Sequence, residues 1–295
     1  MAFFKSLFSS LEALTNLPQV KDSGVLSRML RLERIKLPSA AFSARTGVFL
    51  AIFTVSAAYA QFLSPTSSRS NQVVLEVIRT MPQGGGYSAS NAATAHLAAA
   101  VRTVGGTLAL NPAEAIPSYC SGATYLVFVS ALQRLNNGSL APAVAADLAV
   151  KNQPDGVGVW GRWNANGPGT ACLFHEMQIG QNFSDWRLAQ PGDFMKIFWN
   201  TNVGRREHGH SAIYLGTTRQ GGTEFVRFWS SNQPRGFGEK TVPKTRIAYV
   251  IFSRLTSPEN LAAKLSMLPA RNNYLAGLLI KESSLAEANR YSGVE

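Results

Sequence analysis

Pro117-Ser118-Tyr119-Cys120-Ser121-Gly122-Ala123-Thr124 opens a segment in which Ala123, Val127, Phe128, Ala131, Leu132 and Leu135 are apolar. Recurrence at every third and fourth position predicts a helix with one buried face. Ser118 is the expected N-cap and Asn136-Asn137-Gly138 the expected stop, so the helix runs from Cys120 to about Asn136. Its first residue is a thiol. The free N–H groups and dipole of a helix N-terminus favour thiolate at that position. Ninety residues on, His210-Ser211-Ala212-Ile213-Tyr214-Leu215-Gly216 reads as a strand opened by histidine, whose neutral imidazole can take a proton from the thiol.

Upstream, Asn71 to Met81 reads as a short amphipathic helix broken by Pro82-Gln83-Gly84-Gly85-Gly86. Ser88 to Val104 is Ala-rich and is expected to form a second helix, stopped by Gly105-Gly106, with Leu108 to Pro117 as connector. Downstream, Leu140 to Val150 is a further short helix. The stretch from Trp160 to Gly169, rich in Gly, Asn and Trp, reads as a long structured loop, the kind that compact domains keep for function. A helix over Thr170 to Ile179 carries Cys172, His175 and Glu176. Pro191-Gly192-Asp193 is a turn before the strand Phe194–Trp199. Further strands are expected over Ser211–Leu215, Glu224–Ser230 and Ile247–Phe252, with short turns between them. Such connections imply an antiparallel sheet, and helices followed by strands give an α+β order. Pro258–Met267 and Arg271 to about Arg290 read as a C-terminal helical extension, residues 256–295.

The 295 residues are 45% hydrophobic and 15% charged, which predicts a packed core and excludes general disorder. Net charge is +11. Residues 1–60 hold seven Lys/Arg and three acids, so residues 61–295 keep 21 basic against 14 acidic side chains. That sign suits anionic wall polymers or lipid headgroups, and equally serves plain solubility. No basic stripe with interleaved aromatics points to nucleic acid. Gly47 to Ala57 is apolar, follows basic residues and ends in Ala58-Tyr59-Ala60, which has the small-x-small form of a signal-peptidase site. Residues 1–60 are therefore expected to be a leader with a signal peptide, cleaved after Ala60, with Met29 an alternative start. The mature protein is expected in the periplasm or outside the cell. A membrane contact is expected only through that leader if it stays uncleaved.

The order of a nucleophile helix, then a meander carrying His, then a polar residue on the next strand resembles the NlpC-type papain-like cysteine peptidases and their CHAP amidase relatives. The matching pieces are Cys120-Ser121-Gly122, Pro191-Gly192-Asp193, and the strand opened by His210. The resemblance spans residues 71–255. It implies a papain-like α+β domain over 61–255, with the nucleophile helix packed on an antiparallel sheet. It also implies that Cys120 attacks a peptide or amide carbonyl with His210 as base. Three features depart from the family pattern. Tyr119 stands where an Asp usually precedes the Cys, the Trp/Gly stretch is inserted, and Phe225-Val226-Arg227-Phe228 occupies the strand that should orient the imidazole. Asn232 is the choice for that orienting residue, with Ser230 and Ser231 as alternates, since an Asn carbonyl can hold an imidazole N–H.

The expected function is an exported cysteine hydrolase cleaving peptide or amide bonds in peptidoglycan peptides. The Cys120 N–H and the Tyr119 side chain are the expected oxyanion donors. Trp160, Trp163, Trp199 and Trp229 are candidates for the floor of a groove, with Trp163 assigned to substrate, while core packing is the simpler reading of any single Trp. His208 shares the face of His210 and is a substitute base. No cofactor or metal is expected, because neither C-x-x-C nor H-E-x-x-H occurs among Cys120, Cys172, His175, His208 and His210. The alternative is a non-catalytic secreted wall-binding domain with a Cys120–Cys172 disulfide, since two cysteines in an exported chain often pair.

Overall fold

Residues 68–294 are described by a computed structural model. The expected signal peptide, its expected cleavage site and the alternative start lie outside the described residues. Among the described residues, no helix is long and apolar enough to cross a membrane.

Helix α1 (Arg69–Thr80) begins at Ser68, whose Oγ accepts from the Asn71 N–H, and it buries Val74, Val77 and Ile78. The two-residue strand β1 (Gly84–Gly85) follows, then α2 (Asn91–Ala100), capped by Ser90. The second helix was expected to reach Val104 but stops at Ala100. Val101-Arg102-Thr103-Val104 instead forms β2, antiparallel to β3 (Thr107–Leu110). Its β-branched residues favour a strand, and Gly105 and Gly106 at φ +57° and +80° supply the tight hairpin turn. Helices α3 (Cys120–Leu135), α4 (Pro142–Leu148), α5 (Gly158–Asn164) and α6 (Gly169–Met177) come next. Much of the expected loop at 160–169 is thus the helix α5. Its Trp160, Arg162 and Trp163 are buried, so burial overrides the loop-like composition.

The remaining strands are β4 (Gly180–Phe183), β5 (Phe194–Phe198), β6 (Val203–Gly204), β7 (Gly209–Gln220), β8 (Thr223–Asn232), β9 (Gly236–Pro243) and β10 (Tyr249–Leu255). After them come α7 (Leu261–Leu265), α8 (Asn273–Gly277), β11 (Glu282–Ser283) and α9 (Leu285–Ser292). Seven strands make one sheet in the order β1-β9-β8-β7-β5-β10-β4, with every neighbouring pair antiparallel. The fold is α+β, with α3 packed against β7 and β8.

Phe128 of α3 stacks on Trp163 at 4.6 Å between ring centroids, and Phe174 and Phe194 close the same cluster. A second apolar layer gathers Met195, Ile197, Ala212, Tyr214, Phe228 and Phe252. The sheet is therefore buried on both faces, which is why its strands read as runs rather than strict alternations. The C-terminal extension is not the long helix expected from Arg271 onward. It breaks into α8, β11 and α9, with β11 pairing to β6. Leu275, Leu278 and Ala288 join Ala171, Cys172, Phe198 and Ile251 in one buried cluster.

Candidate active site

The first turn of α3 is placed by backbone bonds from upstream. Ser118 N–H donates to the Gly86 carbonyl at 3.1 Å, and Ser88 N–H donates to the Ser118 carbonyl at 2.8 Å. The N-cap is Tyr119, in extended conformation and without a side-chain cap bond. Ser118, the expected cap, instead donates its hydroxyl to Ser231 Oγ at 2.8 Å, tying the start of α3 to β8. The N–H groups at the start of α3 therefore carry no side-chain cap beside the Cys120 thiol, which is half-buried.

His210 stands at the start of β7, opposite Ile197 of β5. The β7–β8 register, which sets Ile213 against Trp229, continues to set His210 against Asn232. His210 Nε2 lies 3.2 Å from Asn232 Oδ1. The amide is oriented by its own NH2, which donates to the Gly238 carbonyl at 2.8 Å and the Ser230 carbonyl at 3.3 Å. Its oxygen therefore faces the ring, Nε2 is the protonated nitrogen, and Nδ1 is left for the thiol. The His210 side chain stands beside Cys120, where it favours the thiolate.

Burial by itself raises the Cys120 pKa. The hydrogen bond and charge of His210, the Ser211 N–H and the charge of Lys196 outweigh it, and the pKa falls from 9.0 to about 6. Cys172 behaves in the opposite way, because burial first and the nearby Glu176 second push its thiol well above the ordinary range. Both cysteines are free thiols. The surroundings thus favour the thiolate at Cys120 and the protonated thiol at Cys172.

A third group meets the thiol that sequence reasoning missed. The Tyr87 hydroxyl stands beside Cys120, and burial, followed by the charge of Cys120, raises its pKa so that it stays a neutral donor. Gly84, Gly85 and Gly86 all have positive φ, a conformation glycine adopts without strain, and they lead the chain along the edge of β9 to Tyr87. Tyr87 N–H then donates to the Pro234 carbonyl at 3.1 Å. A run of glycines directly before an aromatic residue was the available signal, and it was read only as a helix break.

Two assigned residues are elsewhere. Tyr119 is buried, its hydroxyl shares a hydrogen bond with Thr94 Oγ1 at 3.1 Å, and its ring packs edge-on to Trp160 at 6.3 Å. Burial, partly offset by Thr94, pushes its pKa up to about 12. As the extended N-cap it points its ring into the α2–α3 core, away from an oxyanion. Trp163 is 1% exposed and donates its indole N–H to the Ser121 carbonyl at 3.1 Å, so it supports the first turn of α3 from inside. Trp160 and Trp229 are equally buried. Trp199 is the half-exposed member of that group, with its ring 6.2 Å from that of His210.

The chain matches no protein-family model, no curated protein and no solved structure.

Ser230 and Ser231, the alternates to Asn232, are engaged in the sheet and at Ser118. His208 is exposed just before β7, on the rim of a cleft of about 500 Å³ that also reaches His210, Tyr87 and Trp199. Glu176, expected on a helix surface, accepts from the fully buried Arg162 at 2.7 Å. Lys196 and Glu207 form a buried ion pair at 2.5 Å, placed against Gly209, and the Lys196 charge is the one that reaches the Cys120 thiol. Among the described residues, no three His, Cys, Asp or Glu side chains gather to hold a metal ion.

Proposed function

We propose that this chain is an exported papain-like cysteine peptidase or amidase that cleaves peptide or amide bonds in peptidoglycan peptides. The observation that carries the reading is the 3.2 Å contact of His210 Nε2 with Asn232 Oδ1, with the His210 side chain beside the Cys120 thiol that opens α3. Cys120 as thiolate attacks the carbonyl carbon, and imidazolium His210 protonates the departing amine. Neutral His210 then takes a proton from water, which releases the acyl group and restores the thiol. Asn232 holds the ring in the tautomer that both steps need. The oxyanion is assigned to the Cys120 N–H and to the Tyr87 hydroxyl beside the thiol, so that Tyr87 takes the role first given to Tyr119.

The papain-like assignment and the wall substrate rest on the NlpC and CHAP resemblance, and export rests on the Ala58-Tyr59-Ala60 motif. A positive surface favours approach to anionic wall polymers. The disulfide that accompanied the wall-binding alternative is absent, since both sulfurs are free. The test is release of new amines from purified peptidoglycan peptides by wild type and Cys120→Ala. The substitution is expected to lower the rate by about a thousandfold or more while thermal unfolding stays unchanged. Activity within about tenfold of wild type would reject the mechanism.

A further inference from the structure

The cleft beside His210 holds charge that the proposed chemistry does not use. Lys240 of β9 and Arg246, just beyond β9, both line it. Lys240 sits opposite Phe228 of β8, whose ring packs on His210 at 5.6 Å between centroids, so Lys240 shares the His210 face of the sheet. Both cations are exposed, and among the described residues neither has a carboxylate or hydrogen-bond partner. The acids nearby are already engaged. Glu207, on the cleft wall, is held by Lys196 and the Gly204 N–H, and Glu239 faces Arg227. Two unpaired cations on one cleft favour entry of an anion there.

The reaction fixes which half of a substrate enters. His210 hands its proton to the departing amine, so the amine half lies on the His210 side, in this cleft. We propose that Lys240 and Arg246 bind a carboxylate on the amine half of the substrate. The enzyme is then selective for peptides whose departing amine belongs to a carboxylate-bearing residue, with Trp199 and Val242 as the apolar wall beside it. This inference rests on the Cys120–His210 reading.

The test uses two peptides of one sequence, the amine half ending in a free carboxylate in one and a carboxamide in the other. Each is titrated against alkylation of Cys120 by neutral iodoacetamide on the purified protein, and amine release is read in parallel. The carboxylate peptide is expected to protect Cys120 at about tenfold lower concentration than its twin, the worth of a charge-assisted contact. In Lys240→Gln/Arg246→Gln the two protecting concentrations are expected to converge to within about twofold, as they also do in high salt. Equal protection by both peptides in wild type, protection by neither, or an undiminished difference in the double variant would overturn the proposal. Amine release without carboxylate preference removes this proposal and leaves the thiol mechanism standing. Selective protection without amine release upholds the cation site and counts against hydrolysis.

Discussion

At the residue scale, the site is a division of labour among side chains that differ mainly in their surroundings. Cys120 and Cys172 are the same residue type, yet His210, Ser211 and Lys196 lower the pKa of one while burial raises that of the other. Asn232→Ala is expected to lower kcat by about tenfold to a hundredfold with KM little changed, because the ring loses its fixed tautomer and not its substrate contacts. Tyr87→Phe removes one oxyanion donor and is expected to cost about a hundredfold in kcat, read by the same amine-release assay, with the fold intact by circular dichroism. The helix start at Cys120 and the strand opened by His210 were legible in the chain pattern, whereas Asn232 lay past the expected strand end at Ser230 and was chosen for its chemistry; the structure extends β8 to Asn232 and sets it beside His210. Tyr87 was not legible, since its place comes from the long-range pairing of β1 with β9. Tyr119 and Trp163 were misassigned because closeness in sequence to a nucleophile does not say where a side chain points; both turn inward, and only packing shows it.

At the element scale, the pairing of β1 with β9 and the turn before β5 position the two halves of the site. Gly236, at φ +88°, faces the Gly84 carbonyl so closely that a Cβ would press into it. Gly236→Ala is expected to destabilise by about 1–3 kcal/mol in urea unfolding and to lower activity further by shifting Tyr87 away from the thiol. Asp193, at the end of the Pro191-Gly192-Asp193 turn, is fully buried and accepts from Arg254 Nε and Nη2 at 2.8 and 2.7 Å and from Asn71 Nδ2 at 2.8 Å. It ties α1 and β10 to the start of β5. Asp193→Ala strands a mostly buried guanidinium and is expected to cost about 3–5 kcal/mol in the same measurement. The turn itself was readable from its Pro-Gly pair, whereas its ion pair spans sixty-one positions of sequence and was not. Likewise β4 and β9 escaped notice, being short or polar along their exposed edge, while the long apolar runs of β5, β7, β8 and β10 stood out.

At the scale of the whole molecule, the α+β order of helices before strands was legible from periodicity and turn spacing alone. The docking of the C-terminal segment was not, because its pairing with β6 and its packing around Cys172 depend on neighbours far away in the chain. The fully buried Arg162 shows the same dependence, reaching the carbonyls of Gly156, Gly158 and Pro269 and the Glu176 carboxylate. The lowered thiol pKa is also a property of the assembled fold, since the helix start, His210, Ser211 and Lys196 meet only when the sheet forms. Its direct measure is the rate of Cys120 alkylation by iodoacetamide against pH, located by mass spectrometry, in native and urea-unfolded protein. In the folded chain the rate is expected to rise with pH through a midpoint near 6, with Cys172 unreactive. The unfolded chain and the folded His210→Ala variant are expected to move that midpoint up toward about 8.5, the value of a free thiol. A native midpoint already at the free-thiol value, or one that His210→Ala leaves in place, would contradict the thiolate–imidazole pair on which the account stands.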